Sequence, residues 1–195
     1  DKAMTQSAYR EAVGYFEQAL GALPHLPERR DTHEQAIDLR LALRTALYPS
    51  GDVGRILAVL REAEALAEAL ADAHRLGQVL LFLSQQFYRE GAYDRAIAAA
   101  QRVLAIATAS GDAVLHARAH YYCALTYEVQ TAYRQAIDGF GALVAALDGA
   151  QRYERFGQVT LPAVVARANA AGCHAELGLF TVGTTLGEEG LRIAE

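Results

Sequence analysis

Proline and cysteine are both scarce, with four prolines and two cysteines among 195 residues. So few prolines exclude a collagen-like chain. Cys123 and Cys173 form no C-x-x-C pair, which excludes a disulfide scaffold or a zinc knuckle and leaves two small buried thiols. No apolar run approaches the ~18 residues that a membrane helix needs, and the first twenty residues lack a basic start followed by an apolar stretch. Positive charge is also missing: a net charge of −5 offers no field to hold a phosphate backbone, so nucleic acid is excluded as a partner. Nor are there β-branched runs bounded by hairpin turns. What is present is a composition 52% hydrophobic and 21% charged, which folds rather than staying disordered. Alanine, the best helix former, supplies roughly one residue in five, so an all-α fold is expected. The length predicts one domain, 1–195, and a cytoplasmic location is expected. A start at Asp1 predicts an excised part of a longer protein.

The chain repeats itself. Gly91-Ala92-Tyr93-Asp94-Arg95-Ala96-Ile97 returns as Thr131-Ala132-Tyr133-Arg134-Gln135-Ala136-Ile137. Ser7 to Val13, Gly51 to Leu57 and Gly178 to Thr184 are further copies. In each, a short turn leads to an aromatic or apolar anchor, and usually a small residue follows three positions later. The anchors Tyr9, Val53, Tyr93, Tyr133 and Phe180 lie 40 to 47 residues apart, the period of a helical-pair solenoid. The turns predict helices over 7–23, 32–48, 53–71, 75–90, 93–109, 113–130, 133–148, 160–177 and 180–194. The longest connector, Asp148 to Thr160, is expected to be partly helical. Gly183, Gly187 and Gly190 predict that the last helix is the least stable, since each interior glycine costs about 1 kcal/mol against alanine.

Ala12-x3-Phe16 before Pro24, Ala136-x3-Phe140, Leu80-x2-Leu83-Ser84-x2-Phe87 and His120-x2-Cys123-Ala124-x2-Tyr127 carry a resemblance. They resemble the tetratricopeptide repeat, whose signature is W-x2-L-G-x2-Y on one helix and A-x3-F, then P, on the next. Arg40-x2-Leu43-Arg44-x2-Leu47 departs from it, with arginine where a small residue is expected. The resemblance implies a right-handed α-solenoid of antiparallel helix pairs: a half-repeat over 1–24, then repeats over 31–71, 75–109, 113–148 and 160–195. The runs Tyr9 to Leu20, His174 to Gly178 and Gly187 to Glu195 are similar to C-terminal repeat arrays of bacterial proteins that join a class III nucleotide cyclase to an AAA-type ATPase. That similarity implies an accessory, regulatory region. Any cyclase or ATPase activity would lie elsewhere, because the chain has no G-x4-G-K-[ST] phosphate loop.

The same resemblance implies a concave groove lined by first helices of the repeats. Its positions here are Gln78, Leu81, Gln85, Tyr88 and Arg89, followed by Arg118, Tyr121, Leu125 and Glu128. Tyrosine and arginine supply large contact area and directed hydrogen bonds, so a protein or peptide segment is the expected partner, or another domain of the parent. The alternative is a sensor that encloses a small molecule or signalling peptide. A carboxylate clamp is not reproduced: Leu81, Phe82, Gln85 and Tyr122 stand at its positions.

His116, His120 and Cys123 recur at i, i+4 and i+7, the spacing of three metal ligands on one helix face. Two of them occupy signature packing positions and no fourth ligand is evident, so a structural role is expected. His174 falls on the aromatic signature position and is expected in the core. Glu62, Glu64 and Glu68 read as a solvated acidic face rather than an acid–base pair. No catalytic residue, metal or cofactor is expected.

Overall fold

In the computed structural model, which describes residues 2–155 and 160–195, the chain is helical throughout, with no strand among the described residues. The helices are α1 (Lys2–Ala22), α2 (Arg30–Leu47), α3 (Val53–Ala69), α4 (Ala73–Arg89), α5 (Tyr93–Ser110), α6 (Ala113–Val129), α7 (Tyr133–Ala146), α8 (Pro162–Glu176) and α9 (Phe180–Ala194). They follow the expected order within about two residues, except that α1 begins five residues earlier. Nothing from Lys2 to Gln6 breaks a helix, so the turn signal at Ser7 does not stop it. The connector after α7 forms a single 3-10 turn, Gly149–Tyr153; its positions 156–159 lie outside the described residues.

A left-handed residue recurs at fixed intervals in the turns: Gly51 (φ 70°), Ala71 (51°), Gly91 (75°), Gly111 (69°) and Thr131 (59°). They stand twenty residues apart, so one helix plus one turn is the structural unit and two make the forty-residue sequence period. The backbone closes the same way at several of them. Thr131 N–H donates to the Glu128 carbonyl and Ala132 N–H to the Tyr127 carbonyl, both at 2.9 Å. Gly178 and Leu179 bond Ala175 and His174 alike, also at 2.9 Å. Carbonyls left over at a helix end are thereby satisfied without a long loop. Three following helices are capped by aspartate: Asp52, Asp72 and Asp112 accept from the N–H of Arg55, Arg75 and Leu115.

The contacts divide into two compact units, residues 1–86 and 87–195. In the first, α2 packs on α1 and α3. Ile37, Leu43, Leu47, Ile56, Leu60 and Ala63 are buried there. Arg75 binds Asp38 at 2.8 Å and Asp72 at 2.7 Å, tying the start of α4 to α2. In the second unit each helix packs on its neighbours in sequence. Ala124, Ala136, Phe140, Ala170 and Cys173 form one buried cluster, and Leu143, Leu147, Ala163 and Ala166 another. Small residues mark the closest approaches. Gly139 lies so near α6 that a Cβ there would stand 2.9 Å from that of Ala124, and one at Gly183 would stand 2.9 Å from the Ala171 carbonyl oxygen. The glycines of α9 therefore differ: Gly183 is required by packing, while nothing lies within 4 Å of a Cβ at Gly187.

Candidate functional site

The nine groove positions divide between the two units. Gln78, Leu81 and Gln85 belong to the first. Leu81 is only 1% exposed, so it fills the core and presents no surface to a partner, a correction to the sequence reading. Its helix is more deeply buried than a two-faced groove helix would be: Val79, Leu80 and Leu83 are buried as well. Gln85 accepts a hydrogen bond from Arg44. That guanidinium lies 4.2 Å from the Phe82 ring centroid and 4.8 Å from that of Tyr48, which accounts for an arginine at a small-residue position: it is buried as a stacked group. Gln78 pairs with His74 at 2.9 Å.

The other six positions belong to the second unit. Arg89 is exposed, while Tyr88, Arg118, Tyr121, Leu125 and Glu128 are half-buried. Arg118, Tyr121, Leu125 and Glu128 follow one another at spacings of three, four and three residues and share one face of α6. Tyr121 is central to it. Its ring sits edge-on to Tyr122 at 5.4 Å and tilted against Phe140 at 6.3 Å. Burial first, then the neighbouring Tyr122, Tyr88 and Glu128, pushes the Tyr121 phenol above its usual range, so it is neutral at any physiological pH.

Beside Tyr121 opens an apolar recess of about 70 Å³, walled by Val114 and Ala117 of α6, Leu143 and Leu147 beyond it, and Val165 of α8, with Arg118 on its lining. It was not foreseen from the residues. Other helices of this unit are joined by two or three residues, but fifteen, from Leu147 to Leu161, separate α7 from α8. Gln151 and Thr160 from that long connector complete the wall. Its size decides what can enter. A water molecule takes about 30 Å³ and a nucleotide-sized ligand needs several hundred, so this recess suits one aliphatic side chain.

The other candidates resolve into packing. His116 and His120 rings meet edge-on at 4.6 Å, Cys123 is buried, and among the described residues no three metal-ligating side chains converge. Burial, with a smaller effect from His116, lowers the His120 pKa and keeps the ring neutral. His174 is half-buried and its Nδ1 is buried without a hydrogen-bond partner. Both thiols are pushed up to about 11 by burial. The acidic run corrects the reading at one point: Glu64 is buried, with Arg61 at 3.4 Å, whereas Glu62 is exposed and paired with Arg40 at 2.9 Å. Among the described residues no helix is long and apolar enough to cross a membrane.

No protein-family model matches the chain, and no curated protein matches it. Solved structures do. The chain is similar to aspartyl phosphate phosphatase F from Bacillus subtilis, with 20% identity and a TM-score of 0.78 over 93% of this chain and 45% of that one. It is similar to the nearly identical tetratricopeptide-like repeats of a Podosopora anserina putative kinesin light chain, at 15% identity and TM-score 0.75, covering 98% of this chain and 90% of that one. A Rap protein complexed with competence and sporulation factor matches at 14% identity and TM-score 0.74, over 98% of this chain and 50% of that one. The chain thus spans about half the length of the phosphatase and of the Rap protein. These likenesses establish the fold class: an all-α, tetratricopeptide-like solenoid of helix pairs.

Proposed function

We propose that the chain is a non-catalytic interaction module that holds a peptide segment of a partner protein, or of another domain of its parent, along the exposed face of α6. The observation that carries this reading is the recess beside Tyr121, a side-chain-sized apolar hollow lined by Arg118 and Tyr121 of the α6 face that continues through Leu125 and Glu128. Aromatic and arginine side chains around one apolar hollow are the makings of an interface hot spot. The tetratricopeptide-like fold supports it too, as does a structural neighbour whose complex contains a second factor. The phosphatase activity named for another neighbour is not transferred, because 20% identity over less than half of that protein carries the fold alone. Within this reading the module is a cytoplasmic, regulatory arm of a bacterial nucleotide cyclase and ATPase signalling protein, as the runs at Tyr9 and Gly187 imply.

Val114 stands at the recess and is 43% exposed, so Val114→Asp places a charge in the hollow without disturbing the core. Twelve-residue peptides selected by display on the native chain should lose at least tenfold in affinity for Val114→Asp and for Arg118→Ala. Selected peptides that bind both variants at native strength would place recognition elsewhere and overturn the proposal.

A further inference from the structure

The first unit holds a cleft of about 510 Å³ that plays no part in the reading above. Its walls come from Tyr9, Arg10 and Val13 on one face of α1, from the end of α2 with the turn that follows, and from the start of α3. Hydrogen bonds fix that turn. The 3-10 helix Tyr48–Ser50 and the left-handed Gly51 carry the chain from α2 into α3. The Ser50 hydroxyl donates to the Leu47 carbonyl at 2.6 Å and accepts from the Asp52 N–H at 3.2 Å. Asp52 Oδ1 in turn accepts from the Arg55 N–H at 3.1 Å, and the Arg55 guanidinium pairs with Glu17, tying α3 to α1.

The lining has two chemistries. Ala46 and Leu47 are buried and Val13 is half-buried, so the inner surface is apolar, whereas Tyr9, Arg10, Ser50, Asp52 and Arg55 are exposed. With the Ser50 hydroxyl and one Asp52 oxygen already engaged, the remaining polar capacity of the cleft is mainly that of donors, the two guanidinia and the Tyr9 phenol. Charge narrows it further. Arg55 is balanced by Glu17, while Arg10 makes no ion pair among the described residues, so Arg10 is the charge that an incoming group meets. The second oxygen of Asp52 belongs to the same wall and opposes any second negative charge on that group. Volume sets the scale: 510 Å³ lies within the roughly 300–1,000 Å³ of small-molecule sites, and is far larger than the recess beside Tyr121.

We propose that this cleft binds a small organic acid, a monoanion with an aliphatic or aromatic body, its body against Val13, Ala46 and Leu47 and its anionic group on Arg10. The site lies in the other unit from the peptide face and stands or falls independently of it. The test titrates the whole chain with 8-anilinonaphthalene-1-sulfonate, a fluorescent monoanion, and with N-phenyl-1-naphthylamine, the same body without the charge. Saturable binding of the sulfonate is expected, about three- to tenfold tighter than that of the amine. Arg10→Gln, a change at an exposed position, should remove that preference and leave the amine unaffected. Glu17→Gln frees the Arg55 guanidinium and should tighten the sulfonate several-fold, a gain that adventitious adsorption to apolar surface does not produce. Octanoate should displace the dye, and octanol, with the same chain and no charge, should do so several-fold less well. Equal affinity for the two dyes, or native sulfonate binding by both Arg10→Gln and Glu17→Gln with helicity intact by circular dichroism, overturns the site. So does a dye signal lost in Val114→Asp rather than in Arg10→Gln, which would place the dye in the recess. Octyl phosphate displacing the dye more strongly than octanoate at pH 8, where it is a dianion, overturns the assignment to a monoanion.

Discussion

The two glycines Gly183 and Gly187 differ by one helical turn of α9, and replacing each with alanine isolates a packing contact from a backbone preference. Either change gains roughly 0.5–1 kcal/mol of helix propensity. At Gly187 that gain is unopposed, because nothing lies within 4 Å of the new Cβ. At Gly183 the Cβ would stand 2.9 Å from the Ala171 carbonyl oxygen and 3.7 Å from the His174 Cβ. A backbone oxygen cannot rotate away as a side chain does, so α9 must move off α8. Overpacking of this kind costs about 1–3 kcal/mol. The propensity gain is common to both variants and cancels in their difference, leaving the steric cost alone. Since every 1.4 kcal/mol is tenfold, amide hydrogen exchange in α9 should run roughly five- to hundredfold faster in Gly183→Ala than in Gly187→Ala. Exchange is the proper assay, because terminal repeats of such arrays open without global unfolding and a melting temperature would miss it. Gly187→Ala itself should exchange about two- to fivefold more slowly than the native chain. Equal protection of α9 in the two variants would refute the close approach of α8 and α9.

Thr131→Gly should stabilise the chain by about 1 kcal/mol, raising Tm by roughly 2–4 °C, because a β-branched residue there adopts φ 59°. An unchanged or lower Tm in calorimetry would contradict that strain. The thiols of Cys123 and Cys173 should resist Ellman's reagent at pH 8 in the native state and react fully in guanidinium. Because their folded pKa of about 11 lies above the ordinary value of 9.0, the stability they contribute is complete below pH 9 and is lost as pH rises towards 11, visible as a falling Tm across that window. Glu128→Gln should raise Tm at pH 7 but not at pH 4. The folded Glu128 pKa is raised, so ionisation destabilises the native state above the unfolded value of 4.5 and not below it. A lower Tm at neutral pH would mean that the carboxylate has a partner.

The helix order was legible in the residues because its causes are local. Alanine content, apolar anchors every forty or so residues and short polar turns each act within a few residues of themselves, and they placed nearly every helix end. Local rules also identified Ala96, Ala136 and Gly183 as the small positions of second helices, and all three are buried. What sequence could not decide depends on how near one helix comes to another. Leu81 is consumed by the core, Arg44 is stacked between rings, and Glu64 is buried. None of these follows from a residue type or a spacing, because each is set by atoms on another helix. Ala71 and Thr131 take the left-handed turn position that glycine occupies elsewhere, which only the twenty-residue rhythm of backbone angles reveals. The recess beside Tyr121 is walled by α6, α7 and α8 together with Gln151 and Thr160 of the connector, four stretches of the chain that only the fold brings to one place. Periodicity along a chain determines which faces must be buried; the distances left between those faces, and therefore the sites, belong to the tertiary structure.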